Sequence, residues 1–120
     1  MQVFMETERM VLRCFTADDV DHLVDLDCDP EVMRFLTGGK PTPREVIQND
    51  ILPAFISSCE PVAGLGVFAA IEKESGEFLG WFSLRPKDAA SPSEVTLGYR
   101  LRRVFWGQGY ATEGARALIH

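Results

Sequence analysis

Residues 94–113 read EVTLGYRLRRVFWGQGYATE, and the fold turns on how this stretch is understood. From Glu94 to Arg102 the residues alternate. Val95, Leu97, Tyr99 and Leu101 fall on one face, and Thr96, Gly98, Arg100 and Arg102 on the other, which is the period of a strand. Gly98 within that strand predicts a bulge or a close approach of another group. Trp106-Gly107-Gln108-Gly109 makes a tight turn, after which Ala111, Ala115, Leu118 and Ile119 mark one face of a helix. The first turn of any helix leaves N–H groups without intrahelical partners, and the helix dipole adds positive potential there. Glycine lets such a backbone approach a ligand closely. A strand, a glycine loop and a helix in this order therefore suit a phosphate or pyrophosphate, and Arg102 and Arg103 add charge. An ordinary strand-to-helix turn would carry the same residues. Two other phosphate motifs fail. A P-loop needs Gly-Lys-Ser/Thr, which the chain lacks, and a dinucleotide fingerprint needs a third glycine where Thr112 stands, after a βαβ unit rather than hairpins.

Working outward, residues 65–73 and 77–85 flank Glu74-Ser75-Gly76 and predict a hairpin. Residues 87–93, rich in Asp, Ala, Ser and Pro, predict a loop. Residues 9–15 predict the first strand. Thr16 caps a helix that carries acids in its first turn and ends near Asp29-Pro30. Residues 31–36 predict a second short helix, closed by Gly38-Gly39. Thr42-Pro43-Arg44-Glu45 opens a third, with Thr42 as cap, which Pro53 should kink or end. Tyr99 shares a face with Leu97 and Leu101 and is expected in the core. Phe105 and Trp106 are expected to pack, and Glu113 to complement the helix dipole. Residues 1–120 thus form one α+β domain, a mainly antiparallel twisted sheet flanked by helices.

The composition, 46% hydrophobic and 25% charged, is that of an ordinary globular domain. A net charge of −6 argues against nucleic acid as partner. The longest uncharged apolar stretch, residues 61–71, contains two glycines and is too short to cross a bilayer. Acids stand at the N-terminus where a signal peptide would carry Lys or Arg, so a cytoplasmic protein is expected. Cys14, Cys28 and Cys59 lack ligand spacing and read as free, mostly buried thiols in a reducing compartment. His22 and His120 are isolated, and no metal site is expected.

The run from Glu94 to Glu113 resembles the acetyl-CoA motif of the GNAT N-acetyltransferases, and its wording is closest to the branch that acetylates ribosomal-protein N-termini. Gly107 and Gly109 fill the motif's glycine positions, while Val104 stands where Gln or Arg is usual. Thr7-Glu8-Arg9-Met10-Val11-Leu12-Arg13 is similar to that branch's opening strand, and Gly80-Trp81-Phe82 to its third. The resemblance implies a GNAT-like fold and acetyl transfer from acetyl-CoA to an amine acceptor by direct attack. It implies that Tyr99, Leu101, Arg102, Arg103, Val104, Phe105, Gly107, Gln108, Gly109, Tyr110, Ala111 and Thr112 contact the co-substrate, mainly through loop amides. It also implies splaying of the strand at Gly98, and a proton-accepting role for Glu94, which could equally be a solvated strand-end acid. Members of the family continue past the helix that starts near Gly107. The resemblance therefore implies a domain incomplete at its C-terminus, with the leaving-group acid unassigned and an open sheet edge favouring homo-oligomers.

Overall fold

Five strands form one antiparallel sheet in which every strand pairs with its neighbours in the chain: β1 (Val3–Glu6), β2 (Met10–Cys14), β3 (Gly66–Glu72), β4 (Phe78–Asp88) and β5 (Ser91–Leu101). This computed structural model describes residues 3–34, 38–59, 65–88 and 91–119, with backbone alone at 3, 4, 86–88, 91–96 and 119. The helices are α1 (Val20–Asp27), α2 (Pro30–Met33), α3 (Arg44–Val46), α4 (Leu52–Ser58) and α5 (Tyr110–Ile119). The α+β architecture, the 65–85 hairpin and the last strand and helix agree with expectation. β1 was not foreseen, so the strand read at 9–15 is the second.

The sheet separates two cores. Met10, Leu12, Phe68, Ala70, Phe82 and Leu101 pack with Phe105, Tyr110 and Leu118 around α5. On the other face Val67, Ala69 and Phe78 meet Phe15, Leu23, Leu26, Val32, Ile47 and Leu52, which α1, α2 and α4 help to supply. Gly114 sets the depth of α5. A β-carbon there would overlap the Phe82 ring, so the helix lies against the sheet as only glycine allows.

Thr16 acts as expected: its amide donates to Asp19 Oδ2 at 2.8 Å and its carbonyl accepts from the Asp19 amide at 3.0 Å. Asp19 is also bound by both terminal nitrogens of Arg13 at 2.8 Å, a buried pair that bolts the start of α1 to β2. Burial pushes the Asp19 carboxyl up, but the Arg13 hydrogen bonds and the Thr16 amide hold it below its ordinary value.

Several expectations need correction. The helix after residue 42 begins at Arg44 with Pro43 as cap, and the Thr42 amide donates to the Asp27 carbonyl at 3.2 Å. Pro53 neither ends nor breaks the run, because a π-helical turn over Ile47–Ile51 leaves it in the first turn of α4, where no N–H is needed. The second helix is Pro30–Met33 with Asp29 as its cap, and residues 35 and 36 of the predicted span lie outside the described residues.

The loop expected at 87–93 is largely strand, since Asp88 pairs with Ser91. Pro86 is accommodated there because, among the described residues, the β3 register ends at Leu84 and no partner faces Pro86 on that side of β4. No bulge occurs at Gly98; the irregularities fall at Ala70/Ile71 and Pro86/Asp88. Gly98 instead permits close approach, as a β-carbon would lie 2.8 Å from Ser83 Oγ.

Cys14 and Cys59 are joined in a disulfide that ties the end of α4 to β2, and Cys28 is free and exposed. The expectation of three free thiols is overturned, and with it the cysteine argument for a reducing compartment. Chain folding brings the two Cα atoms to 5.9 Å despite 45 residues of separation, a proximity that spacing along the sequence does not reveal.

Introducing a methyl group at Gly114 tests the packing of α5. Gly114→Ala should lower the unfolding free energy by about 1–3 kcal/mol, the usual cost of overpacking, and urea unfolding would measure it. An unchanged midpoint would show that α5 can shift away from Phe82 at no cost.

Candidate active site

The strand–loop–helix junction forms one end of a concave cavity of about 650 Å³. After β5, the Arg102 amide bonds to the Leu79 carbonyl at 2.8 Å, and a 3-10 turn spans Arg103–Phe105. Gly107 and Gly109 then adopt φ of +77° and +83°, a region other residues rarely enter, and this reverses the chain into α5. The first intrahelical bond runs from the Glu113 amide to the Gly109 carbonyl at 3.0 Å, so the amides of Tyr110, Ala111 and Thr112 have no acceptor within the helix. Gln108 Nε2 reaches back to the Val104 carbonyl at 2.9 Å and braces the loop.

Eight of the twelve predicted contact residues line this cavity: Tyr99, Leu101, Phe105, Gly107, Gly109, Tyr110, Ala111 and Thr112. Arg102, Arg103 and Val104 line a smaller neighbouring pocket of about 160 Å³, with Asp25 and Asp29 on its other side. Arg102 is turned toward the sheet, where its Nη1 meets the Phe78 carbonyl at 3.3 Å. Tyr99 lies on the predicted face, opposite Phe82, but it is 54% exposed and forms cavity wall rather than core. Phe105 is buried as expected. Trp106 is 47% exposed, and its indole N–H is fixed on the Leu101 carbonyl at 2.9 Å. Both departures follow from position: Tyr99 lies on a strand with no neighbour on its outer side among the described residues, and Trp106 in the loop that follows it. Glu94 belongs to β5, and its side chain lies outside what the structure describes.

A run of four residues in β5, from Gly98 to Leu101, lines the cavity. Alternation would bring only every second residue to a single face, so the cavity wraps around the edge of the strand. On that edge β5 has no strand beside it among the described residues. Its peptide groups there are open to an extended ligand, apart from the Leu101 carbonyl that the Trp106 indole occupies.

Arg9 was not singled out from sequence, and it anchors the whole junction. Its Nε donates to Glu113 Oε1 at 2.6 Å, its amide to Glu113 Oε2 at 3.0 Å, and its Nη1 to the Gln108 carbonyl at 2.9 Å. The guanidinium stacks 4.0 Å from the Tyr110 ring centroid. Thr7 Oγ1 also donates to Glu113 while accepting the Met10 amide at 3.0 Å. Tyr110 donates its hydroxyl to Glu72, a bond that raises its pKa and lowers that of Glu72, where Ser75 contributes most. Burial pushes the Glu113 carboxyl up, but the bonds from Thr7 and Arg9 together hold it below its ordinary value. Glu113 thus does more than complement a dipole: it ties α5 to the opening of β2. The signal lay in Thr7-Glu8-Arg9, whose partner more than a hundred residues away no local pattern discloses.

Two further cavity residues were missed. Arg100 of β5 reaches Asp27 Oδ1 at 2.7 Å, and Trp81 of β4 is its register partner, with the guanidinium carbon 5.3 Å from the ring centroid. Burial pushes the Asp27 carboxyl above its ordinary value against the pull of Arg100. Among the described residues no group of three or more His, Cys, Asp or Glu side chains could hold a metal ion.

Because the folded pKa of Glu113 is depressed, its stabilisation is present above the unfolded value, near ~4.3, and is lost as pH falls through the folded value. Glu113→Gln should therefore cost about 1–2 kcal/mol at neutral pH, and the difference should close below about pH 4. Urea unfolding at the two pH values checks this; a pH-independent difference would mean that the ionised carboxylate is not what binds.

A family model described as an acetyltransferase (GNAT) domain matches residues 9–120. The FsC-acetyl coenzyme A-N(2)-transacetylase of Aspergillus fumigatus is 32% identical over 126 residues, covering 98% of this chain and 52% of that protein. Among solved structures, a GNAT-family acetyltransferase from Bacillus anthracis superposes with a TM-score of 0.74 at 20% identity, over 96% of this chain and 63% of that one. RimL, a ribosomal L7/L12 alpha-N-protein acetyltransferase in complex with coenzyme A, gives a TM-score of 0.71 at 16% identity, over 98% of this chain and 66% of its own. This chain thus spans between half and two thirds of these proteins. With the family model covering nearly all of the sequence and the glycine loop, helix N-terminus and open strand edge in place, the chain belongs to the GNAT acetyltransferase domain family.

Proposed function

We propose that the cavity binds acetyl-CoA and that the protein transfers the acetyl group to an amine. The observation that carries this reading is the continuity of a backbone-lined anion site with an open strand edge. The amides of Gly107–Thr112, with α5 behind them, suit a pyrophosphate. The free edge of residues 98–101 suits the amides of an extended arm, with Tyr99, Leu101 and Phe105 offering apolar contact. A volume of about 650 Å³ lies within the usual span of ligand pockets, about 300–1,000 Å³. The co-substrate supplies an acetyl thioester, a carbonyl activated toward a neutral amine.

The work left to the chain is to hold that carbonyl beside β5 and to help the amine lose its proton. We assign the second task to Glu94, which stands in β5 four residues before the cavity wall at Gly98. A carboxylate that accepts the proton directly or through one water keeps the attacking nitrogen neutral in the transition state.

Two substitutions test the reading. Gly109→Val would place a β-branched residue at φ +83°, with its β-carbon 3.4 Å from Arg9 Nη2. CoA binding should weaken at least about tenfold, or roughly 1.4 kcal/mol, by calorimetry. Equal affinity in a folded variant would remove the loop from the binding site. Glu94→Gln should lower turnover by about 100-fold with little change in the Michaelis constant for acetyl-CoA. Full activity across the pH range would leave Glu94 a surface acid.

A further inference from the structure

The acetyltransferase reading uses the loop and the backbone edge of β5 and leaves the side chains of the opposite wall without a role. That wall is built from Val32 of α2, Trp81 of β4, and Gly98 and Arg100 of β5. Gly98 contributes no side chain, so the indole and the guanidinium shape the surface. We infer that Arg100, held in place by Asp27, determines acceptor specificity by donating to an uncharged carbonyl oxygen on the amine, and that it discriminates against a carboxylate at the same position. This inference rests on the acetyltransferase reading and names the class of amine.

The argument begins with charge. Arg100 is 22% exposed in its side chain and Asp27 is buried, and Nη1 and Oδ1 lie 2.7 Å apart. One carboxylate compensates one guanidinium, so the wall presents a neutral pair. Asp27 occupies one position of the guanidinium fork. The remaining N–H groups have no protein acceptor among the described residues. Trp81, the register partner, lays its ring beside that guanidinium, whose carbon is 5.3 Å from the ring centroid. The wall therefore has an excess of donors and no net charge. An uncharged oxygen can satisfy those donors without disturbing the pair.

A carboxylate has a harder task. It would bring a second anion to a guanidinium already committed to Asp27, whose own ionisation burial opposes. An ammonium would meet the guanidinium face to face. An amine with no oxygen leaves the donors unmatched, and sites built to hydrogen-bond a substrate reject analogues that lack the partner. The favoured acceptor carries its amine beside an amide or ester carbonyl, with an apolar body against Val32 and Trp81.

Three probes share a ring and an amine and differ in the carbonyl: phenylalaninamide, phenylalanine and phenethylamine. Calorimetry on the full natural chain should show phenylalaninamide binding about tenfold more tightly than phenethylamine, with phenylalanine no tighter than phenethylamine. Arg100→Met should erase the amide's margin. Asp27→Asn should leave Arg100 with uncompensated charge and move the preference toward phenylalanine by about tenfold. Should Asp27→Asn fail to fold, Arg100→Met decides, because the buried Asp27 carboxyl can then take up a proton.

Indistinguishable binding of the amide and phenethylamine by the wild type, or none, overturns the inference, as does a margin that survives Arg100→Met. Acetyl transfer from acetyl-CoA to the same three amines separates the two readings. Turnover without an amide preference defeats this inference alone. A binding margin without turnover supports recognition of the carbonyl by Arg100 and defeats the transferase reading on which the acceptor role rests.

Discussion

The junction between Arg9 and Glu113 is the constraint on which the site depends. A helix N-terminus attracts anions only if its free amides point outward and stay in place. The loop before α5 contains two left-handed glycines, which offer little conformational preference of their own. Stiffness has to come from elsewhere. Arg9 supplies it by bonding Glu113 inside the first turn and the Gln108 carbonyl between the glycines, while its plane covers Tyr110. One side chain from the opening of the fold thus fixes three consecutive parts of the junction. Thr7 and Glu72 complete the frame through Glu113 and Tyr110.

The opposite face of the sheet is organised by two ion pairs, one buried and one half-buried. Arg13–Asp19 joins β2 to the start of α1, and Arg100–Asp27 joins β5 to its last residue. Burying charge is costly, and a pair of this kind stabilises less than apolar packing of similar volume would. What each pair provides is position, since a misplaced helix would leave a charge buried without its partner. The two differ in consequence. Asp19 accepts from both guanidinium nitrogens and the Thr16 amide, and its carboxyl is held below the usual range. Asp27 has Arg100 as its one side-chain partner among the described residues, and burial prevails. The pair with the better satisfied carboxylate lies away from the cavity, and the other contributes Arg100 to its wall.

What could be read along the chain was whatever depends on neighbours in sequence. The alternation in 94–102, the Gly76 turn and the Thr16 cap are local signals, and each agrees with the structure because side-chain period and turn chemistry need no distant partner. The glycine junction was legible for the same reason, together with most of the residues that line the cavity. The rest depends on contacts across the fold. Cys14 and Cys59, Arg9 and Glu113, and Asp27 and Arg100 become neighbours only once β2 and β5 take their places in the sheet. Tyr99 shows the limit clearly. Its face was read correctly from alternation, whereas its exposure depends on what the fold lays over β5, which periodicity does not encode.

The position of β5 explains why one strand can serve two kinds of recognition. Its loop end offers amide donors beside α5 and no carboxylate among the described side chains that line the cavity, a setting that favours an anion. Its Arg100 offers donors whose charge Asp27 already compensates, a setting that favours a neutral oxygen. Were both ends uncompensated, an acidic acceptor would compete with the co-substrate for the same potential along a strand only a few residues long. Placing Asp27 on α1, behind the sheet and out of solvent, removes that competition without blocking the guanidinium. The buried acid is therefore best understood as part of the cavity's electrostatics, even though Arg100 and not Asp27 lines its wall.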